Sequence, residues 1–387
     1  MKRKILIFTT HPIQYQVPLF KLLSKNKNLN VKVIYASNHG AINSIDKDFQ
    51  VKFLWDINMF NGYNYEILEK KINVNSFFLN TNKIYSKFRE KKIDLCLILG
   101  WNNLFYLKAI FWSFFFGVPI IARAESNLLK KDSLIKKTLK KIVFYIFFKL
   151  FHKFLYIGKA NYDFYKNYGV SKEKLIPGPY SVDNNFFNNL KINKIKIKSE
   201  LKISKNKIIY IFSGKFIPRK RPLDILYAIL DLKEKKLNYH FIFIGDGQQK
   251  KECIDFAKKN CLSNITFLGF VNQRKIREYY AIADIIIMPS EYETWGLAVN
   301  EAMASGCACI VSNKCGCFKD LVYTRGEKKN GFVYQVGDIE KIKELFIFFD
   351  KNKKKIKNMK KNSLSIIQNF NLKKTSESIV SFLKNEY

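Results

Sequence analysis

The run from Asp284 to Gly306, DIIIMPSEYETWGLAVNEAMASG, constrains the fold more than any other stretch. Ile285 to Met288 is short and continuously apolar, the pattern of a buried strand. Pro289 and Ser290 end it, and a polar loop follows with Glu291 and Glu293. Trp295-Gly296 then leads into a helical segment, Leu297 to Ala304, closed by Ser305-Gly306. Strand, polar loop and helix in this order make the βα unit whose loop holds ligands in open α/β sheets. The amides at such a helix start suit an anion such as phosphate. Glu293 precedes the helix and Glu301 lies more than a turn inside it. One acid can face the reacting end of a ligand while the other reaches a different part. On these residues alone, an ordinary buried βα unit with two solvated acids fits as well.

The same unit repeats along the 387-residue chain, which has room for two domains. Lys4–Thr9, Val31–Ala36, Leu95–Leu99, 118–123 and Phe154–Gly158 read as strands, with helices at Val17–Leu23, 104–116 and Ala160–Tyr168. Residues 188–206 are polar and Lys-rich, as a domain boundary should be. A second series follows, with strands at Ile208–Phe212, Tyr239–Ile244 and 265–268 and helices at 222–235, 249–259 and 273–282. Helices at about 338–350 and 371–386 close the chain. Strands alternating with helices imply parallel sheets, so the fold class is α/β. Two such domains imply a ligand cleft between them.

Charge narrows the partners. A formal net charge of +36 favours anions: nucleic acid, phosphorylated small molecules or anionic lipid. Part of the excess reflects a Lys-, Asn-, Ile- and Phe-rich composition rather than function. Residues 130–153, KKDSLIKKTLKKIVFYIFFKLFHK, hold eight lysines and one acid. A helix here would carry a basic side beside an apolar one, as helices on anionic membrane surfaces do. A long core helix with snorkelling lysines is the alternative. Leu104 to Ile121 is interrupted by Lys108, Gly117 and Pro119, too broken for a spanning helix. No secretory signal is visible, and seven cysteines with C-x-C spacing suit a reducing cytoplasm better than a zinc site.

Two lysines, Lys215 and Lys220, lie just past the first strand of the second series. Loops after parallel strands gather at one edge, so these cations should face the helix start near Gly296. Together they make a site for a diphosphate, and for the charge it develops as a leaving group. Glu301 is placed for sugar hydroxyls such as a ribose, and Glu293 for a transferred group. No P-loop and no dinucleotide fingerprint is present. Asp46-Lys47-Asp48 reads as a solvated loop rather than a cation site. His11, at a strand end, suits either a substrate contact or a turn before Pro12.

These residues resemble the retaining glycosyltransferases of family 4. ETWGLAVNEAMASG, with Glu293 and Glu301, is similar to that family's acid motif, and SGKFIPRKRPLDIL, 213–226, to its phosphate segment, with Lys215 in place of the usual Arg. Residues 267–290 resemble its nucleobase-lining segment. HPIQYQVPLF, GWNN, RAESN and PYSVDNNFF resemble a bacterial subgroup with an N-terminal HPIQY segment. The resemblance implies the GT-B fold, two facing Rossmann-like domains. Residues 1–188 would bind the acceptor, 189–206 link, and 207–370 bind the donor, with helix 371–387 packing back on the first domain. It implies retention at the anomeric carbon, a UDP- or GDP-linked nucleotide sugar, and no required cofactor or metal. Lys215, Lys220 and Glu293 would be the catalytic residues. Gly214, Phe270, Trp295, Gly296, Leu297 and Glu301 would complete the donor site. His11, Gln14, Tyr15, Arg123 and Glu125 are the candidates to touch acceptor or sugar. The expected acceptor is a glycan or lipid-linked glycan in cell-surface polysaccharide synthesis, such as lipopolysaccharide, at the inner face of the cytoplasmic membrane, with 130–153 on the lipid. A same-fold sugar phosphorylase and a basic nucleic-acid-binding protein are the competing readings. No nucleic-acid-binding motif supports the latter.

Overall fold

A computed structural model of the chain describes residues 2–41, 44–46, 51–69, 77–79, 82–89, 92–130, 132–188, 192–235 and 237–385. The chain forms two units. One comprises Met1–Ser44, Phe53–Ser181 and Asn371–Tyr387, the other Ile45–Lys52 and Val182–Phe370. Each is built on a parallel sheet, the α/β class expected from the alternating pattern.

The first unit contributes β1 (Arg3–Thr9), β2 (Leu29–Tyr35), β5 (Asn64–Ile67), β6 (Leu95–Ile98), β7 (Ile120–Ala122), β8 (Lys153–Tyr156) and β9 (Leu175–Pro177) to a seven-stranded sheet, while β3 (Ser44–Asp46) pairs with β4 (Val51–Phe53) separately. The sheet order is β5-β2-β1-β6-β7-β8-β9. Ile5 lies opposite Val31 on one side and Leu95 on the other. Side chains alternate along β1, so Leu6 and Phe8 enter one apolar cluster and Ile5 and Ile7 another. Helix Leu372–Asn385 packs into the second cluster through Ile379, Phe382 and Leu383. Its Thr375 Oγ1 and Ser378 Oγ donate to the Pro179 and Pro177 carbonyls.

The second unit orders its six strands β12-β11-β10-β13-β14-β15, where β10 is Ile208–Ser213, β11 Tyr239–Ile244, β12 Ile265–Gly269, β13 Ile285–Met288, β14 Ala308–Ser312 and β15 Gly331–Tyr334. The direction of winding reverses between β10 and β13. Open α/β sheets bind ligands at such a switch point, beyond the strands' carboxyl ends. The loops there are closed by backbone hydrogen bonds. Gly214 N–H donates to the Ile244 carbonyl (3.0 Å), Gly245 N–H to that of Gly269 (2.8 Å) and Phe216 N–H to that of Asp246 (2.8 Å). Gly245 has φ +133°, and a Cβ there would lie 1.8 Å from the Gly214 carbonyl oxygen.

Three expectations need correction. The first unit ends at Ser181, not at 188, because helix Asn184–Asn188 belongs to the second unit, where Phe187 is buried against Tyr280. The expected linker 189–206 contains helix Lys194–Glu200, capped by Asn193 and packed on helix Gln273–Ile282. The basic helix of 130–153 runs only from Leu134 to Phe147. A 3-10 turn follows at Phe148–Leu150, and Lys153 already belongs to β8. Helix Lys353–Ile367 had no counterpart in the sequence reading. Its buried positions, Ile356, Met359, Ser363, Ile366 and Ile367, have helical spacing, but lysines and asparagines dilute it.

The close backbone approach at Gly245 generates a prediction. Gly245→Ala should destabilise the chain by about 3 kcal/mol or more in urea unfolding, since both the space and the backbone conformation exclude a side chain. Gly326→Ala, where a Cβ would meet nothing within 4 Å, gives the cost of positive φ alone, about 1 kcal/mol.

Candidate active site

Two loops define the site of the second unit. The first leaves β10 as Gly214-Lys215-Phe216. Buried Phe216 anchors it in the core beside Phe212 and Phe243. A 3-10 turn, Pro218–Lys220, then brings Lys220 back, and Arg221 in the left-handed region starts helix Pro222–Leu230. The second loop leaves β13 at Pro289-Ser290. Glu291 N–H donates to the Arg219 carbonyl (2.8 Å), which ties the loops together. On its other side the second loop is held by 313–317. Glu293 N–H donates to the Lys314 carbonyl (3.0 Å), and Cys317 N–H to that of Trp295 (3.0 Å).

This framework brings Lys220 and Glu293 into direct contact. Lys220 Nζ donates to Glu293 Oε1, which also accepts from Ser290 Oγ at 2.9 Å. Their side chains are only 15% and 9% exposed, so the pair is shielded from water. The sequence reading assigned them to different parts of a ligand; the structure makes them one ion pair. Lys215, half-buried, sits five residues upstream on the same loop.

Helix Leu297–Ala304 starts at Gly296, whose φ of +105° suits glycine, and no side chain caps it. The amides of Gly296 and Leu297 therefore open the helix at the site. Trp295 does not offer its indole to a ligand: the ring is buried, Nε1 donates to Asn300 Oδ1 at 2.7 Å, and it packs on Phe370. Its contribution is to pin the turn. Glu301 accepts from Tyr280 Oη at 3.0 Å. Burial raises its carboxyl to about 7, against the opposing hydrogen bonds from Tyr280 and Gln273. Phe270 follows β12, at the edge closed by the Gly245–Gly269 hydrogen bond.

The first unit gathers a second cluster at its own sheet edge. Arg123 and Glu125 follow β7, and Gln14 and Tyr15 lie on the loop after β1. Glu125 Oε1 accepts from Tyr180 Oη and, at 3.5 Å, from Tyr15 Oη. The two tyrosine rings meet edge-on at 5.4 Å, and the Arg123 guanidinium lies 5.2 Å from the Tyr180 ring centre. Burial lowers the Arg123 pKa and raises those of Tyr15 and Tyr180. Arg123 Nε is buried with no hydrogen-bond acceptor. Tyr180, after β9, is the residue that sequence reasoning missed as a site member. Its signal was its place in PYSVDNNFF, a loop after a parallel strand. His11 interacts instead with Thr10 Oγ1 (2.9 Å) and the edge of His39. Among the described residues, no group of three or more His, Cys, Asp or Glu is placed to hold a metal. The side chains of Asp46-Lys47-Asp48 lie outside the described residues.

Residues 193–365 match the family Glycosyl transferases group 1. The matched stretch lies within the second unit. Two curated relatives align over part of their length. The sulfoquinovosyl transferase SQD2 of Arabidopsis thaliana is 35% identical over 31% of this chain and 22% of its own. The alpha-monoglucosyldiacylglycerol synthase of Acholeplasma laidlawii is 32% identical over 30% of this chain and 29% of its own. The chain thus spans less than a third of these relatives. Anabaena Alr3699/HepE, solved with UDP and glucose, shares the fold at a TM-score of 0.72 and 15% identity, over 99% of both chains. Two parallel-sheet α/β units with such neighbours are the GT-B class of architecture.

Two predictions follow from the carboxylates. Lys220→Met strands the Glu293 charge in a shielded site and should cost about 2–3 kcal/mol. Lys220→Met/Glu293→Gln should recover at least half of that in urea unfolding; strictly additive costs would show the pair to be uncoupled. Because the folded state holds the Glu301 proton more tightly than the unfolded chain, stability falls as pH rises from about 4.5 to about 7. Glu301→Gln should flatten that segment of the stability–pH curve relative to wild type.

Proposed function

We propose that the chain is a retaining glycosyltransferase that moves a sugar from a nucleotide-diphosphate donor to a glycan or lipid-linked glycan. The observation that carries this reading is the Lys220–Glu293 pair beside an uncapped helix start at the switch point of the second sheet. A diphosphate needs cations and amide donors, and Lys215, Lys220 and the amides of Gly296 and Leu297 supply both. Donor binding gives Lys220 an anionic partner in place of Glu293, and frees the carboxylate for sugar hydroxyls. Glu301, held by Tyr280, accepts from the ribose, and Phe270 lies along the base. When the anomeric C–O bond breaks, its electron pair goes to the diphosphate. The acceptor oxygen forms the new bond, and its proton leaves with the diphosphate. The same cations stabilise the developing charge, so no cofactor is required.

The acceptor half of the reaction belongs to the first unit. Arg123 presents a buried donor without an acceptor, and Glu125 with Tyr15 and Tyr180 presents oxygens for hydroxyls. The synthase relative, by its name a maker of a glucosyl-diacylglycerol, supports a lipid-linked acceptor. We place the chain on the inner face of the cytoplasmic membrane, in cell-surface polysaccharide synthesis. No described helix is long and apolar enough to cross a membrane.

Glu293→Gln keeps the Ser290 hydrogen bond and the shape of the loop. It should lower transfer from a UDP- or GDP-sugar by about 100-fold or more, with an unchanged circular-dichroism spectrum. A rate equal to wild type would remove Glu293, and this reading with it.

A further inference from the structure

Helix Leu134–Phe147 has its amphipathicity inverted. An ordinary surface helix turns its apolar stripe toward the core and its charges toward water. Here Ile135, Leu139, Ile142 and Ile146, at i, i+4, i+7 and i+11, form a stripe that faces outward. Ile135 is 76% exposed and Ile146 63%, and Leu134, Val143 and Tyr145 beside them are exposed too. The opposite side holds Phe144 and Phe147, which pack on the apolar cluster of the first sheet. Lys140, also on the inner side, pairs with Asp132. No residue of the helix is buried. Seven large apolar side chains in one exposed run is a patch that water does not tolerate uncovered.

A second element shows the same feature. Helix Leu104–Phe115 buries Phe105, Tyr106, Ala109 and Ile110, yet exposes Phe111, Phe114 and Phe115, with Phe116 just beyond. Both helices cover the same face of the first sheet, since side chains from each enter one cluster with Phe8, Ile98, Ile120 and Phe154. Their outer sides therefore look away from that face together. Lys136, which pairs with Asp132, and Lys141 flank the first stripe on its two sides, and no acid occurs from Ser133 to Lys153. A protein partner would cover the apolar area equally well. The one-signed cationic flank selects a surface of dense negative charge over an apolar interior, which is an anionic bilayer.

We propose that these two helices form a two-point docking surface for a bilayer with anionic headgroups. The Leu134–Phe147 stripe enters the acyl boundary, the Phe111–Phe116 aromatics make a second anchor, and the lysines lie at headgroup level. The helix starts at the sheet edge that bears Arg123 and Glu125, because the loop carrying them leads directly into it. On the glycosyltransferase reading, on which this step rests, a lipid-linked acceptor held in that bilayer meets the Arg123–Glu125 edge from the membrane side.

The full chain is floated with vesicles of phosphatidylcholine alone, or with about one third phosphatidylglycerol, at low and high salt. Wild type should float with the anionic vesicles at low salt and lose most binding at high salt. Ile135→Ser/Ile142→Ser/Ile146→Ser should weaken binding about 100-fold without lowering Tm, the side chains being exposed. Phe111→Ser/Phe115→Ser should weaken it about tenfold, and Lys136→Glu/Lys141→Glu should abolish the preference for anionic lipid. Absence of flotation, or a triple variant that floats like wild type, overturns the proposal. So does a wild-type dimer, seen by light scattering, that the triple variant converts to monomer: the occupant is then a second copy. Binding of UDP- and GDP-sugars by calorimetry tests the donor reading separately. A chain that floats but binds neither keeps the docking surface and loses the transferase.

Discussion

Everything at the candidate site of the second unit depends on one constraint, the parallel direction of the strands in its sheet. It sends the loops after β10, β11, β12 and β13 to the same edge, and the reversal of winding between β10 and β13 opens a gap there. Main-chain hydrogen bonds then lock the loops in sequence, Gly214 to Ile244 and Gly245 to Gly269, with Glu291 bonded to Arg219. The close approach of Gly245 to Gly214 leaves no room for a side chain. The charged groups are thus mounted on backbone that is already fixed. Preorganisation of this kind lets a few side chains meet a polyanion without first ordering a loop.

The basic excess of the chain does not act as one field. At the candidate site of the second unit, Lys220 is neutralised by Glu293. A shielded ion pair costs desolvation, and the gain over an apolar pair is small. What such a pair provides is a defined partner exchange. On the proposed function, an incoming diphosphate would compete for the lysine, and the released carboxylate would become an acceptor. Glu301 differs. No cation pairs with it in the hydrogen bonds described, and burial holds its proton to about pH 7. Two acids eight residues apart thus sit in different surroundings, Glu293 against an ammonium and Glu301 against a phenol, and burial alone raises the Glu301 carboxyl.

Much of this was legible in the sequence. The apolar runs gave the strands, and the placement of acids and lysines after strand ends gave the loops of the candidate site, since both depend on local pattern and parallel topology. What escaped depends on three-dimensional closure. Spacing cannot show that Lys220 and Glu293 are partners rather than neighbours, because their contact crosses 73 positions and is set by a 3-10 turn. Trp295 reads as a donor-site residue, yet Asn300 and Phe370 claim its polar and apolar chemistry. The partnership of Tyr180 with Glu125 escaped for the same reason: only the fold brings the loop after β9 to that carboxylate. The expected linker became a helix because Ile197 finds a buried place against a neighbour encoded far downstream.

The direction of amphipathicity is the clearest case of information that a sequence holds only in part. Residues 134–147 show an apolar stripe and a basic flank, and that pattern is the same whichever side faces the core. A core helix and an interfacial helix are distinguished by what anchors the other side. In this chain Phe144 and Phe147 stay on the first sheet's cluster, and the 3-10 turn after them seats Phe148 and Phe151 inside. Those aromatics fix the rotation of the helix about its axis, and the isoleucines are turned outward as a result. The same phenylalanines that complete the fold therefore determine which face is left exposed, so stability and the proposed docking surface are set by one choice of residues.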